Sequence, residues 1–324
     1  MNVDLPGLFD LQVNGFGGID FNEPGLTGDR VDEALERMRA TGVTRCLPTL
    51  ITSSFERFAA SARVLSGATS RAIAGIHMEG PYVSPEDGAR GAHPREQVRP
   101  ATIDDFNRRQ DAAGGRIVLV TLAPEVDGAI RLIEHLVSSG VHVAIGHTAA
   151  MPGQIAAAIA AGATLATHLG NGCAQMLPRH PNVIWELLAA DDVSATLIVD
   201  GHHLPPATVK AMVRAKGARR TILVTDAVSA AGCAPGIYTT GGVRSELSAD
   251  GRVSLPGTPY LAGSALTLDR AIANMVRFTG LSIDDVVPMA STVPAACLGM
   301  VTAGRVHADW DPERGALHVR HVIE

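Results

Sequence analysis

Hydrophobic residues along this chain fall into two alternating patterns: short continuous apolar runs, and longer stretches in which apolar positions recur at helical spacing. The runs Leu8–Asn14, Thr44–Leu50, Ile73–Glu79, Ile117–Leu122, Val141–Gly146, Ala163–Thr167, Ala195–Val199 and Thr221–Thr225 read as buried strands. Between them, Val31–Ala40 places Val31, Leu35 and Met38 on one face, which predicts a helix. Phe55–Leu65, Ile103–Ala112, Gly128–Ser139, Gln154–Ala161 (entered through Pro152), Val183–Ala190, Pro206–Ala215 and Leu268–Phe278 read as further helices. Strand and helix therefore alternate through the chain, which implies right-handed crossovers and a parallel (β/α)8 barrel of the TIM type over residues 1–303. Two segments break the cycle. Val243–Leu247 and Arg252–Leu255 flank Ala249-Asp250-Gly251 and predict a hairpin inserted after strand eight. Arg305–Ala308 and Leu317–Ile323 predict a second hairpin over residues 304–324.

The polar residues that end the strands change the picture. Ile73–Pro81 is an apolar run that stops in His77-Met78-Glu79-Gly80-Pro81, and period-two alternation puts His77 and Glu79 on one face. His147 follows the fifth run, His168 the sixth and Asp226 the eighth, so ligand-type side chains are aimed at one rim of the barrel. One carboxylate and two imidazoles, Glu79, His147 and His168, with an open fourth position, form the ligand set of a catalytic zinc. Asp226, at the end of Leu223-Val224-Thr225-Asp226, is placed to move a proton between water and a leaving group.

Composition narrows the class. A chain of 324 residues, 46% hydrophobic and 19% charged, has ample core for one large domain. Its net charge of −6 offers no basic face for nucleic acid. Cys46, Cys173, Cys233 and Cys297 lie far apart, no signal-like segment opens the chain, and no apolar run reaches the length of a membrane span, so a reduced cytoplasmic protein is expected. Only Lys210 and Lys216 are lysines, both beyond strand seven. No lysine therefore lies in or near the fourth run, and with Glu79, His147 and His168 as one donor set, one divalent ion per chain is expected, zinc or another such as Fe2+.

The motifs together carry a family resemblance. Leu11-Gln12-Val13-Asn14-Gly15, His77-Met78-Glu79-Gly80-Pro81, Gly91-Ala92-His93, Gly146-His147-Thr148, Thr167-His168-Leu169, Asp200-Gly201-His202-His203, Leu223-Val224-Thr225-Asp226-Ala227 and Leu261-Ala262-Gly263-Ser264 resemble the amidohydrolase superfamily, in particular its N-acetylglucosamine-6-phosphate deacetylase group. The resemblance runs from about Pro6 to Gly299. It implies that Glu79, His147 and His168 bind metal, that Asp226 is the acid/base, and that His93 helps polarise the acetyl carbonyl. It also implies that Asn171, Gly172, Arg179 and His203 meet the sugar and its phosphate, with Leu261, Ala262 and Gly263 beside them. Two departures stand out: Asn171-Gly172-Cys173 replaces the usual Asn-Ala-Met, and only five residues precede Pro6. A β-sandwich reduced to the tail hairpin is the consequence expected, leaving apolar barrel surface for a homodimer partner to cover. Which of His202 and His203 faces the site is left open by strand parity.

The expected reaction is hydrolysis of the acetamide of an N-acetylated amino sugar, most simply N-acetylglucosamine 6-phosphate to glucosamine 6-phosphate and acetate. Two alternatives stay open: an amidohydrolase acting on another N-acyl or deaminase substrate, and a non-catalytic sugar-phosphate binder. An intact Asp226 speaks against the last, since a binder needs no proton shuttle.

Overall fold

The computed structural model describes residues 1–258 and 260–323. The chain opens with β1 (Asn2–Pro6), β2 (Leu8–Val13) and a small hairpin, β3 (Gly15–Phe16) and β4 (Ile19–Asp20). Then come α1 (Gly28–Arg39), β5 (Val43–Ile51), α2 (Phe55–Gly67), β6 (Ile76–Glu79), α3 (Ile103–Ala112), β7 (Ile117–Leu122), α4 (Ala129–Ser138) and β8 (His142–Ile145). The cycle continues through α5 (Pro152–Ala160), β9 (Leu165–Ala166), α6 (Val183–Ala189), β10 (Ser194–Leu197), α7 (Pro206–Lys216) and β11 (Thr221–Leu223), and α8 (Leu268–Thr279) is its last helix.

The local chemistry of these elements is ordinary. Ser54, Thr102 and Asn182 cap α2, α3 and α6 by accepting backbone N–H bonds, and Pro152 and Pro206 occupy first turns where a missing N–H does no harm. On α1, Val31, Ala34, Leu35 and Met38 form the buried stripe that the spacing predicts. Strands β2 and β5 to β11 make one parallel sheet of eight, paired in chain order. The ring closes where the chain beyond β11 meets the first strand: Val13 bridges Ala227, and Asp226 donates its N–H to the Gln12 carbonyl at 2.9 Å. Closure at the carboxyl end ties the first strand directly to the eighth, where the polar strand ends gather.

Two features differ from expectation. The insertion after the eighth strand is a three-stranded antiparallel sheet, β12 (Gly236–Thr240), β13 (Val243–Leu247) and β14 (Val253–Ser254), so the expected hairpin is its second half. The tail hairpin, β15 (Arg305–Asp311) and β16 (Ala316–Ile323), is joined by β1, which pairs antiparallel with β15. A boundary at residue 304 therefore cuts through this sheet, because its third strand comes from the other end of the chain. The sheet turns Val306, Ala308, Trp310, Leu317 and Val322 into the core and presents Arg305, His307, Asp309, His318 and Arg320 outward. Its outward face is mostly polar. Among the described residues no helix is long and apolar enough to cross a membrane.

If the terminal sheet is part of the core, Trp310→Ala should lower unfolding free energy by about 3–5 kcal/mol, the usual cost of emptying a buried aromatic site. His318→Ala, on the solvent face, should change it by less than about 0.5 kcal/mol. Urea unfolding of both variants checks this, and equal midpoints would leave the sheet as an appendage.

Candidate active site

The polar strand ends are built by an unusual backbone. His147 (φ 50°), His168 (φ 29°) and Asp226 (φ 48°) are, among the described residues, the only non-glycine positions with positive φ. A left-handed residue costs an L-amino acid about 1–2 kcal/mol, and such outliers persist only where their surroundings over-determine them. That condition is met here. The His147 carbonyl accepts the Ser84 N–H at 2.8 Å, and Thr148 N–H reaches the Gly172 carbonyl at 3.1 Å. Glu125 then accepts the Thr148 hydroxyl at 2.5 Å and the Ala149 N–H at 2.6 Å. The His168 N–H is held by Thr196 Oγ1 at 2.6 Å, and Thr225 Oγ1 accepts the Ala227 N–H at 3.1 Å across the Asp226 turn. Each turn swings its side chain off the strand direction and over the barrel mouth.

Glu79, His147 and His168 come together as the sequence predicts, all buried. Glu79 Oε1 lies 3.0 Å from His168 Nε2 and 3.3 Å from His147 Nε2, and the two nitrogens are 3.1 Å apart. Tetrahedral donors about 2.0–2.1 Å from zinc stand roughly 3.3 Å from one another, so the spacing fits a single ion. The chemistry of the donors agrees. His147 Nδ1 faces the Ala89 carbonyl at 3.1 Å and must carry a proton to bond it; a neutral His147 then turns a bare Nε2 toward the Glu79 oxygen. Only a proton or a cation makes that encounter favourable. Burial alone would raise the Glu79 pKa, but His147 and His168 hold it well below the usual glutamate range. For His168, burial pulls downward, yet the hydrogen bond and charge of Glu79 win and its pKa rises.

His93 sits against this trio, its Nε2 3.1 Å from His147 Nε2 and its Nδ1 2.7 Å from Thr52 Oγ1. Burial, with His147 close by, pushes its pKa down to about 3, so it is a neutral ring. With the Thr52 hydroxyl donating to Nδ1, the neutral His93 ring carries its proton on Nε2, the atom turned toward His147. It is thus a hydrogen-bond donor aimed at the centre. Asp226 is also buried; burial and the negative charge of Glu79 push its pKa up to about 6, against the opposing pull of His168, His203 and Asn14. A carboxyl poised there can both accept and return a proton near neutrality.

In the sequence Gln12 and Asn14 stand out only as members of the motif Leu11-Gln12-Val13-Asn14-Gly15. The structure gives them positive roles, since β2 and the residue that follows it turn Asp10, Gln12 and Asn14 toward the other strands at period two. Asp10 accepts the Thr225 hydroxyl at 2.5 Å, Gln12 Nε2 donates to Glu79 Oε1 at 2.8 Å, and Asn14 Nδ2 donates to Asp226 Oδ1 at 2.7 Å. His77, on the Glu79 face of β6 as expected, lies deeper, bonded to Thr121 Oγ1 at 2.7 Å and facing the Leu11 carbonyl at 3.2 Å.

Above the trio opens a cavity of about 250 Å3, lined by the three ligand candidates, His93, Asp226 and most of the expected substrate-contacting residues: Asn171, Gly172, His203, Leu261, Ala262 and Gly263. The question between neighbouring histidines is decided. Asp200 accepts the backbone N–H of both, but its other oxygen takes His203 Nδ1 at 2.7 Å and fixes that ring at the cavity, whereas His202 faces the Asp250 carbonyl at 3.3 Å. Arg179 is not brought in; it is exposed on the loop before α6 and does not line the cavity. Thr240 and Val243, from β12 and β13, do line it, a contribution no motif announced.

Gly91 and Gly172 hold the His147 ring between them, and at Gly172 (φ 56°) a Cβ would come within 2.9 Å of His147 Nδ1 and 3.1 Å of His168 Cε1. At Gly91 (φ 59°) a Cβ would likewise come within 3.0 Å of His147 Cε1, so Gly91→Ala should displace that imidazole and weaken metal binding by at least about tenfold, as losses around metal ligands do. Competition with a chromogenic chelator measures this, with circular dichroism confirming the fold. An unchanged affinity would mean that the pinch is slack.

Comparison with known proteins agrees with this geometry. The family model described as "Amidohydrolase family" matches residues 4–312. The chain is 35% identical to an N-acetylglucosamine-6-phosphate deacetylase of Bacillus subtilis, over 92% of this chain and 76% of that one. It is 33% identical to an N-acetylgalactosamine-6-phosphate deacetylase of Escherichia coli O157:H7, over 91% and 78%. The solved N-acetyl-D-glucosamine-6-phosphate deacetylase of Mycobacterium smegmatis, in complex with N-acetyl-D-glucosamine-6-phosphate, superposes with a TM-score of 0.91 at 33% identity, covering 100% of this chain and 86% of that one. The chain belongs to the metal-dependent amidohydrolase family, in the group of these amino-sugar-phosphate deacetylases.

Proposed function

We propose that this protein is a metal-dependent deacetylase that hydrolyses the acetamide of an N-acetylated amino sugar 6-phosphate, N-acetylglucosamine 6-phosphate first, to the free amine and acetate. The observation that carries the reading is the convergence of Glu79, His147, His168 and Asp226 on one cavity, three of them in left-handed conformations at strand ends, in a member of this family.

Glu79, His147 and His168 would hold one divalent ion, zinc by the nitrogen-rich donor set, with Fe2+ as a competitor. Such an ion acidifies water and polarises the carbonyl. The remaining work falls to side chains of this chain. Asp226 takes a proton from the attacking water and returns it to the amine nitrogen as the C–N bond breaks. His93, neutral with its N–H aimed inward, donates to the carbonyl oxygen as negative charge develops there. His203, oriented by Asp200, faces the sugar.

A second reading has one observation in its favour. Among the described residues no lysine or arginine lines the cavity, and Arg179 stands outside it. An unphosphorylated N-acyl substrate would suit such a lining. Acetate release from N-acetylglucosamine and N-acetylgalactosamine, each with and without a 6-phosphate, decides between the two. The phosphorylated sugars should be turned over, and Asp226→Asn should keep its fold and metal while losing about 10²- to 10⁴-fold in turnover. Turnover of the unphosphorylated sugars alone would move the function to the second reading.

Purified protein should carry close to one divalent ion per chain by elemental analysis. Among the described residues, Glu79, His147 and His168 are the one group of three or more His, Cys, Asp or Glu side chains whose donor atoms come close enough to share an ion. Two tightly held ions would defeat this assignment.

A further inference from the structure

The residue that follows β2 holds one polar atom that the mechanism so far leaves without work. Asn14 is buried, and its Oδ1 has no hydrogen-bond partner, although Nδ2 of the same carboxamide donates to Asp226 at 2.7 Å. The orientation of the amide is fixed by that contact, because the reverse would set a carbonyl oxygen against a carboxylate. The backbone is pinned too: Asn14 N–H bonds the Ala227 carbonyl at 2.7 Å, and its own carbonyl accepts the Phe21 N–H at 2.9 Å. The residue lines the cavity beside Asp226 and the metal-ligand candidates. Buried acceptors are normally satisfied, and one left bare in a cavity wall is a place for a donor on the ligand.

We propose that Asn14 Oδ1 accepts the N–H of the scissile acetamide, so that one carboxamide grips both the proton shuttle and the nitrogen it must protonate. The inference rests on the deacetylase reading. An acetamide nitrogen carries a single hydrogen. When water oxygen bonds to the carbonyl carbon and Asp226 takes one water proton, the nitrogen becomes pyramidal, bearing that hydrogen, two carbons and a lone pair. With the hydrogen held by Asn14 Oδ1, the lone pair is free to face the carboxyl that the same side chain holds through Nδ2. Asp226 then transfers the proton to that lone pair, the C–N bond breaks, the remaining water proton passes from the acetic acid so formed to the amine, and ammonium and acetate leave with atoms and charge balanced. The contact also makes the site selective for amides. An ester oxygen in place of N–H would set lone pair against lone pair, and sites built to hydrogen-bond a substrate group discriminate strongly against analogues that lack it.

A substrate–variant cycle tests this, using kcat/KM of wild type and Asn14→Ala on N-acetylglucosamine 6-phosphate and on its 2-O-acetyl isostere, glucose 6-phosphate acetylated at O2. The greater intrinsic reactivity of the ester cancels in the cycle, and so does any loss of the Asp226 contact, which both substrates share. The expected result is a loss about 10- to 100-fold greater on the amide than on the ester, the worth of a hydrogen bond to a buried acceptor. Equal losses on both would reduce Asn14 to a holder of Asp226 and overturn the proposal, as would no loss on either. Should Asn14→Ala fail to fold, Asn14→Asp keeps the shape and the acceptor. It should be slower on both substrates yet retain the wild-type preference for amide, and a lost preference would overturn the proposal equally. A wild-type protein inert toward both compounds would instead sink the deacetylase reading itself, and this role with it.

Discussion

The structure depends on one electrostatic constraint: a buried, ionised carboxylate must be answered by positive charge. Glu79 lies at the mouth of a barrel whose walls are apolar, and removing a carboxylate from water costs several kcal/mol even after relaxation. Two imidazoles and a glutamine amide converge on its Oε1, yet one imidazole has already committed its only neutral-state proton to the Ala89 carbonyl. The arrangement is balanced only with a cation, or a proton standing in for one, among the three donors. Metal affinity and the departure of the backbone from its preferred conformations are therefore linked: three left-handed turns are held by neighbouring hydrogen bonds so that these donors meet.

Around that centre, the first strand does work of another kind. Asp10 and Gln12 on β2, and Asn14 just beyond it, each reach a different partner, so this stretch acts as a ruler that fixes the distance between Glu79 and Asp226. Asp10 is fully buried and burial pushes its pKa up to about 7, while Thr225 and Gln12 bonds draw it down. Its grip on Thr225, whose hydroxyl in turn holds the Ala227 N–H, braces the turn that presents Asp226. Because the barrel closes by joining the first strand to the eighth, the closure and the placement of the Asp226 carboxyl are one set of hydrogen bonds.

Much of this was legible in the sequence, because periodicity reports burial directly. Continuous apolar runs marked the barrel strands, and the polar residues that ended them marked the rim; even β9, reduced to Leu165–Ala166, lies inside its expected run. What escaped was non-local. β1 is a five-residue segment with little apolar content that becomes a strand only by pairing with β15 at the far end of the chain. β12 begins at a glycine and buries few of its residues, so its pattern carries no strong period. Parity could not separate His202 from His203, since the choice is made by a side chain three residues back, Asp200, acting on one ring. Gln12 and Asn14 could be read as members of a motif, but which carboxylate each amide would hold is a matter of barrel closure.

The charge distribution around the cavity bears on what the site asks of its substrate. The trio, His93 and Asp226 gather at the floor, and beyond them the wall is largely apolar or neutral, with Ile51, Ile198, Val228 and Val243 among its side chains. A phosphate carries up to two negative charges and resists desolvation, so it cannot be drawn down into such a lining without a cation beside it. An acetamide is neutral and carries its own methyl group, which apolar walls accept at no electrostatic penalty. Such a lining suits an amino sugar phosphate that enters with its neutral acetyl group inward and leaves its phosphate at the mouth. In that arrangement the chemistry at the floor is indifferent to the distant phosphate except through binding, and an N-acyl group small enough to enter is the part of the substrate the barrel itself selects.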